Sequence, residues 1–168
     1  MAERILIAEE DDRLREVLAH RLRRLGADVQ NASDTATAAE ILNRNEIDVA
    51  VIGLVGFESD GLELLKICRL IKPPAEVILL VGKHQGSLAI KGMKLGAFRD
   101  AQLPIHVESL QEMIHEAYVT GANRNRQRKR SVAGALSDIF AAVTFAEHGE
   151  FETAKEISGH GRADNDAE

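Results

Sequence analysis

Two periodicities alternate along residues 4–118 of the chain. Segments 5–8, 48–52 and 77–81 are apolar at nearly every position, and their length suits strands covered on both faces rather than helices. Residues 28–32 predict a brief second strand and 98–102 a short fifth. Between these segments apolar side chains recur at helical spacing. Leu14, Val17, Leu18, Leu22 and Leu25 precede Gly26, and an alanine-rich stretch follows Ser33, the predicted N-cap, to end near Asn45. Leu62, Leu64, Leu65, Cys68, Leu70 and Ile71 mark a third helix closed by Lys72-Pro73-Pro74. A fourth covers 87–95, and a final helix opened by Pro104 carries Val107, Leu110, Met113, Ile114 and Tyr118.

Strands apolar on both faces that alternate with helices predict an α/β fold with a parallel sheet covered on both sides. Five such units fit the flavodoxin-like (βα)5 architecture with strand order 2-1-3-4-5 and a C-terminal helical extension. In that topology the functional crevice lies outside the carboxyl ends of the first and third strands. Those ends carry Glu9-Glu10 and Gly53.

Charge and composition narrow the classes. The 168 residues carry a net charge of −6, which argues against general nucleic-acid affinity but leaves local patches open. The start has a charged pair and then only a strand-length apolar run, so neither a signal peptide nor a membrane span is expected. A single cysteine, Cys68, excludes an internal disulfide and suits a reducing cytoplasm; its place on an apolar stripe predicts a packed core thiol. His20, His84, His106, His115, His148 and His160 show no metal-ligand spacing. Neither a glycine-rich phosphate cradle nor a nucleophile elbow occurs. No enzyme, cofactor or metal is expected.

Three motifs in order, Ile5-Leu6-Ile7-Ala8-Glu9-Glu10-Asp11, Asp60-Gly61-Leu62-Glu63-Leu64-Leu65 and Gly92-Met93-Lys94-Leu95-Gly96-Ala97-Phe98, are followed by Leu103-Pro104. Together they resemble the receiver domain of two-component response regulators over residues 4 to about 120. The resemblance implies five functional positions: two acids that hold magnesium, an acceptor aspartate, a hydroxyl residue after strand four and a lysine after strand five. Here they correspond to Glu9 and Glu10, Gly53, Val81 and Leu103. Glycine cannot be a nucleophile, valine keeps the volume of threonine without its hydroxyl, and leucine removes the cation. The family's strand-five aromatic falls at Asp100. The resemblance thus implies a pseudo-receiver with a degenerate pocket and a cis Leu103–Pro104 peptide. Glu9 to Asp12 also suit a solvated loop at a helix N-terminus. Asp48, Glu58 and Asp60 are the nearby surrogate acids; Asp48 is expected across the sheet from the crevice and Asp60 as the cap of helix three.

Beyond a receiver-like domain at 1–120, residues 121–130 read as a basic linker or helix extension, 131–158 as a helical hairpin and 159–168 as a polar tail. Arg124, Arg126, Arg128, Lys129 and Arg130 place five cations within seven residues. They suit an acidic partner, phosphates or plain solvation; no aromatic interleaves them, and no helix-turn-helix reader follows. Val132, Leu136, Ile139, Phe140 and Val143 share a helical face, and the stretch from Phe145 to Ala154, with Gly149 in its turn and Phe151 beyond, resembles a tetratricopeptide turn. Such a hairpin can pack on the receiver, pair with a second copy or dock on a partner. The expected function is a phosphorylation-independent interaction module that binds a signalling protein or a second copy through these basic and aromatic residues. The alternatives are a nucleic-acid-associated regulator using the basic run and a residual metal or phosphoryl switch.

Overall fold

The structure, a computed structural model, describes residues 2–159, with side-chain surroundings for 2–143. Among the described residues, β1 (Arg4–Ala8), β2 (Asp28–Ala32), β3 (Val49–Gly53), β4 (Glu76–Val81) and β5 (Arg99–Gln102) alternate with helices. These are α1 (Asp12–Arg24), α2 (Thr35–Arg44), α3 (Ser59–Leu70), α4 (Gly86–Lys94) and α5 (Val107–Gly159). The sheet is parallel throughout, in the order β2-β1-β3-β4-β5, as the alternation of patterns predicts. No helix among these residues is long and apolar enough to cross a membrane.

The pleat sends alternate side chains to opposite faces, and each face has its own core. Ile5, Ile7, Val49, Val51, Ile78 and Leu80 pack with Leu18 and Leu22 of α1 and Leu110 and Ile114 of α5. Leu6, Ala8, Ala50, Ile52, Leu79 and Val81 pack with α2, α3 and α4 through Ala38, Leu42, Leu65 and Ala89. Packing contacts divide the chain into two units, Met1–Asn125 and Arg126–Glu168.

Several local expectations change. Asp34, not Ser33, caps α2: its carboxylate accepts from the Thr37 N–H at 2.7 Å, the N3 position a capping side chain reaches. Asp60 lies inside the first turn of α3, and Glu58 precedes the helix at φ 46° without a side-chain cap bond. Val17, Leu25 and Leu70 are exposed, so the apolar stripes of α1 and α3 are narrower than their composition. The backbone of α5 is helical throughout Val107–Gly159. Residues 121–130 are therefore a helix extension and not a linker, and one helix replaces the hairpin predicted over 131–158. Gly149 costs a helix about 1 kcal/mol relative to alanine, and its helix-favouring neighbours carry the backbone through. Residues 160–168, most of the predicted polar tail, lie outside the described residues. Leu103–Pro104 is cis as predicted, and Lys72–Pro73 is cis as well.

Cys68 is fully buried, and loss of solvation pushes its thiol up to about 12. The thiolate is the reactive form. Alkylation by a maleimide should therefore be negligible for the folded protein and complete once denaturant unfolds it, as followed by intact mass.

Candidate functional site at the carboxyl edge of the sheet

Parallel pairing of β1 with β3 sets Ala8 against Ile52, so the chain leaves the sheet at Glu9 on one strand while Gly53 ends the other. The Glu9 N–H still donates to Ala32 O at 3.1 Å, and its carbonyl accepts from Arg15 at 2.7 Å. The backbone is thus fixed on both sides, and the side chain points inward with 2% exposure. Glu9 Oε1 accepts from the Asp11 N–H at 3.0 Å, whereas the buried Oε2 has no protein partner. A β-carbon on Gly53 would lie 1.9 Å from Glu9 Oε2. The Glu9 carboxyl therefore occupies the volume that a side chain at 53 would need. Burial holds this carboxyl above the usual carboxylate range, partly offset by the Asp11 N–H.

Glu10 is exposed and covers Gly56, where φ is +91° and a β-carbon would lie 1.6 Å from Glu10 Oε2. The left-handed backbone there favours glycine, and the exposed Glu10 side chain lies over the space that a β-carbon would enter. Val81 is 5% exposed in the α2–α4 core, and half-buried Leu103 packs on the α1/α5 side; the Leu103 N–H donates to Val81 O at 2.8 Å. The structure thus brings Glu9 and Gly53 into contact and places two apolar residues at the ends of β4 and β5. Asp100 is exposed, in register with Leu79.

Two residues with no signal in the sequence pattern organise this edge. Gln85 Nε2 donates to Leu54 O at 2.8 Å, and Gln85 Oε1 accepts from the Gly82 N–H at 3.0 Å, which joins the loops after β3 and β4. Arg15 pairs with Asp12 besides holding the Glu9 carbonyl. Of the surrogate acids, Asp48 lies just before β3 at the amino end and is gripped by Arg4 at 2.7 and 3.0 Å, while Glu58 and Asp60 are exposed. Among the described residues no three His, Cys, Asp or Glu side chains are grouped to hold a metal ion.

The family model for the response regulator receiver domain matches residues 5–115. The chain belongs to the response regulator receiver domain family. Over 113 residues it is 26% identical to the DNA-binding transcriptional regulator NtrC of Azospirillum brasilense, covering 67% of this chain and 24% of that protein. Over 108 residues it is 28% identical to a putative response regulator NtrX-like protein of Rickettsia conorii, covering 63% and 23%. The chain therefore spans about a quarter of the length of these relatives. Among solved structures, the Francisella response regulator 1452 receiver domain superposes with a TM-score of 0.63 at 26% identity, over 70% of this chain and 98% of that one. A CheY-like receiver domain protein from Methanospirillum hungatei JF-1 gives 0.68 at 19% identity, over 74% and 99%, a likeness of fold.

Outside the crevice, the receiver's basic run is not uniform. Arg124 pairs with Glu76, a 2%-exposed acid at the start of β4 that also accepts from Arg69 at 3.2 Å. Gly121 lets α5 approach, since a β-carbon there would sit 3.1 Å from Glu76 Cγ. Arg124, expected to face a partner, instead neutralises a buried acid of its own chain. Arg126, Arg128, Lys129 and Arg130 are exposed. Phe140 is 70% exposed; the side chains of Phe145 and Phe151 lie outside those described.

Two outcomes follow for stability. An acid raised above its unfolded value binds its proton more readily in the folded state, so its ionisation weakens folding as pH rises from 4.5 through the folded value. Glu9→Gln should stabilise the protein at pH 7, and the gain should vanish below about pH 4, measured by urea unfolding at both pH values. Arg124→Ala should cost about 1–2 kcal/mol by removing one charged partner of Glu76, whereas Arg128→Ala should stay within about 0.5 kcal/mol in the same assay.

Proposed function

We propose that this receiver has given up phosphoryl transfer and works as a phosphorylation-independent protein-interaction module in two-component-type signalling. The observation that carries the reading is the Glu9 carboxyl lodged against Gly53, within 1.9 Å of the position a β-carbon would take. The resemblance aligns Gly53 with the acceptor, and a residue without a side chain offers no nucleophile. Val81 and Leu103 supply neither the hydroxyl nor the cation aligned with them. Magnesium prefers near-octahedral oxygen ligands and usually borrows them from carboxylates and phosphates. Glu9 is turned inward and Glu10 lies over Gly56, a poor start for such a site. No catalysis of its own is assigned to the chain. Ile90, Met93 and Leu95 at α4 and Val119 on α5 are exposed, and apolar residues of this kind suit a docking surface for a signalling partner.

The basic run supports a second reading, a nucleic-acid-associated regulator, because Arg126, Arg128, Lys129 and Arg130 are exposed. That reading requires affinity that falls steeply with salt and is lost when the four are neutralised.

The decisive measurement treats the full chain with acetyl phosphate and magnesium and follows intact mass, with beryllofluoride and magnesium added in a parallel melting experiment. Unchanged mass and an unchanged Tm are expected. A phosphoryl adduct, or a rise in Tm abolished by Glu10→Gln, overturns the proposal.

A further inference from the structure

Among the described residues of α5, Val132 is 60% exposed, Leu136 50%, Ile139 60% and Val143 52%. Their spacing of four, three and four is that of a two-residue seam along a coiled coil. A lone helix cannot bury such a stripe within itself. The charges around the seam are unequal at its two ends. Arg126, Arg128, Lys129 and Arg130 precede it, and Glu147, Glu150, Glu152 and Glu156 follow it in the sequence. The backbone remains helical across both charged segments, to Gly159.

We propose that this face is a seam for a second copy of the chain, with the two α5 helices antiparallel. The inference rests on the reading of the receiver as an interaction module and names its partner. When two such helices pack antiparallel, knobs-into-holes packing sets an a-type residue of one against a d-type residue of the other. In the antiparallel register that satisfies this rule, Val132 lies opposite the partner's Val143, and Leu136 opposite the partner's Ile139. Extending that register outward sets residues 123–130 of each copy opposite residues 145–152 of the other. The basic run then faces the segment carrying Glu147, Glu150 and Glu152, and it does so twice by symmetry. A parallel pair would set basic run on basic run and acid on acid, which the same charges disfavour. Arg124, already committed to Glu76, is not needed for the pairing.

Variants with one added cysteine read the orientation, because Cys68 is buried and does not compete. Val132→Cys and Val143→Cys proteins are mixed and oxidised, beside each alone. A disulfide joining one copy of each, with little product from either alone, is expected. Efficient self-linking of Val132→Cys indicates a parallel pair and overturns the inference. Sedimentation of the full chain should give a dimer, and Leu136→Glu with Ile139→Glu should weaken it by at least about 100-fold while far-UV circular dichroism and receiver melting stay unchanged. A monomer at ~100 μM, or a dimer that dissociates on nuclease treatment, also overturns it. These readouts are independent of the phosphoryl assay, so self-pairing and the closed crevice can fail separately.

Discussion

The pairing of β1 with β3 at the centre of the sheet constrains the rest of the molecule most strongly. Both strands are sealed on two faces, and Ile5 to Ala8 and Val49 to Ile52 have no measurable exposure. Parallel strands in this position admit only apolar side chains. The first residues released from that rule are the next in register, Glu9 and Gly53. Glu9 is only half released, because β2 still holds its N–H and Arg15 its carbonyl. Its backbone cannot retreat, so its side chain fills the space left open by the glycine.

The buried acids of the fold are satisfied very differently. Glu76 sits between two arginines from α3 and α5, and the Arg4–Asp48 pair closes the amino edge of the sheet in a similar way. Glu9 has one backbone donor for two oxygens. A buried charge is tolerated when its hydrogen bonds are complete and resisted when they are not. The carboxyl edge is therefore where the fold holds an incompletely compensated group, and the protonated acid is the form that burial favours.

The parts legible in the sequence were those with a short-range physical signature. Runs apolar on both faces gave the strands, and the helical recurrence of leucines gave α1 and α3. The acid cluster at 9–12 suggested a solvated loop, since no local pattern distinguishes an inward glutamate from an outward one. That distinction depends on Gly53, 44 positions away. Gln85 and Arg124 were opaque for the same reason: their partners, Leu54 and Glu76, become neighbours only when the sheet assembles. Gly149 failed in the opposite sense. A local turn signal was present, and the helical propensity around it prevailed.

The contact between Glu9 and Gly53 also bears on how this sequence can change over generations. A side chain at 53 and the inward carboxyl at 9 claim one volume, so a substitution at the first evicts the second toward water. The fitness effect of either position is then defined only relative to the other, and the two should drift as a correlated pair. Which side chains position 53 can accept is then governed by the residue that stands at position 9.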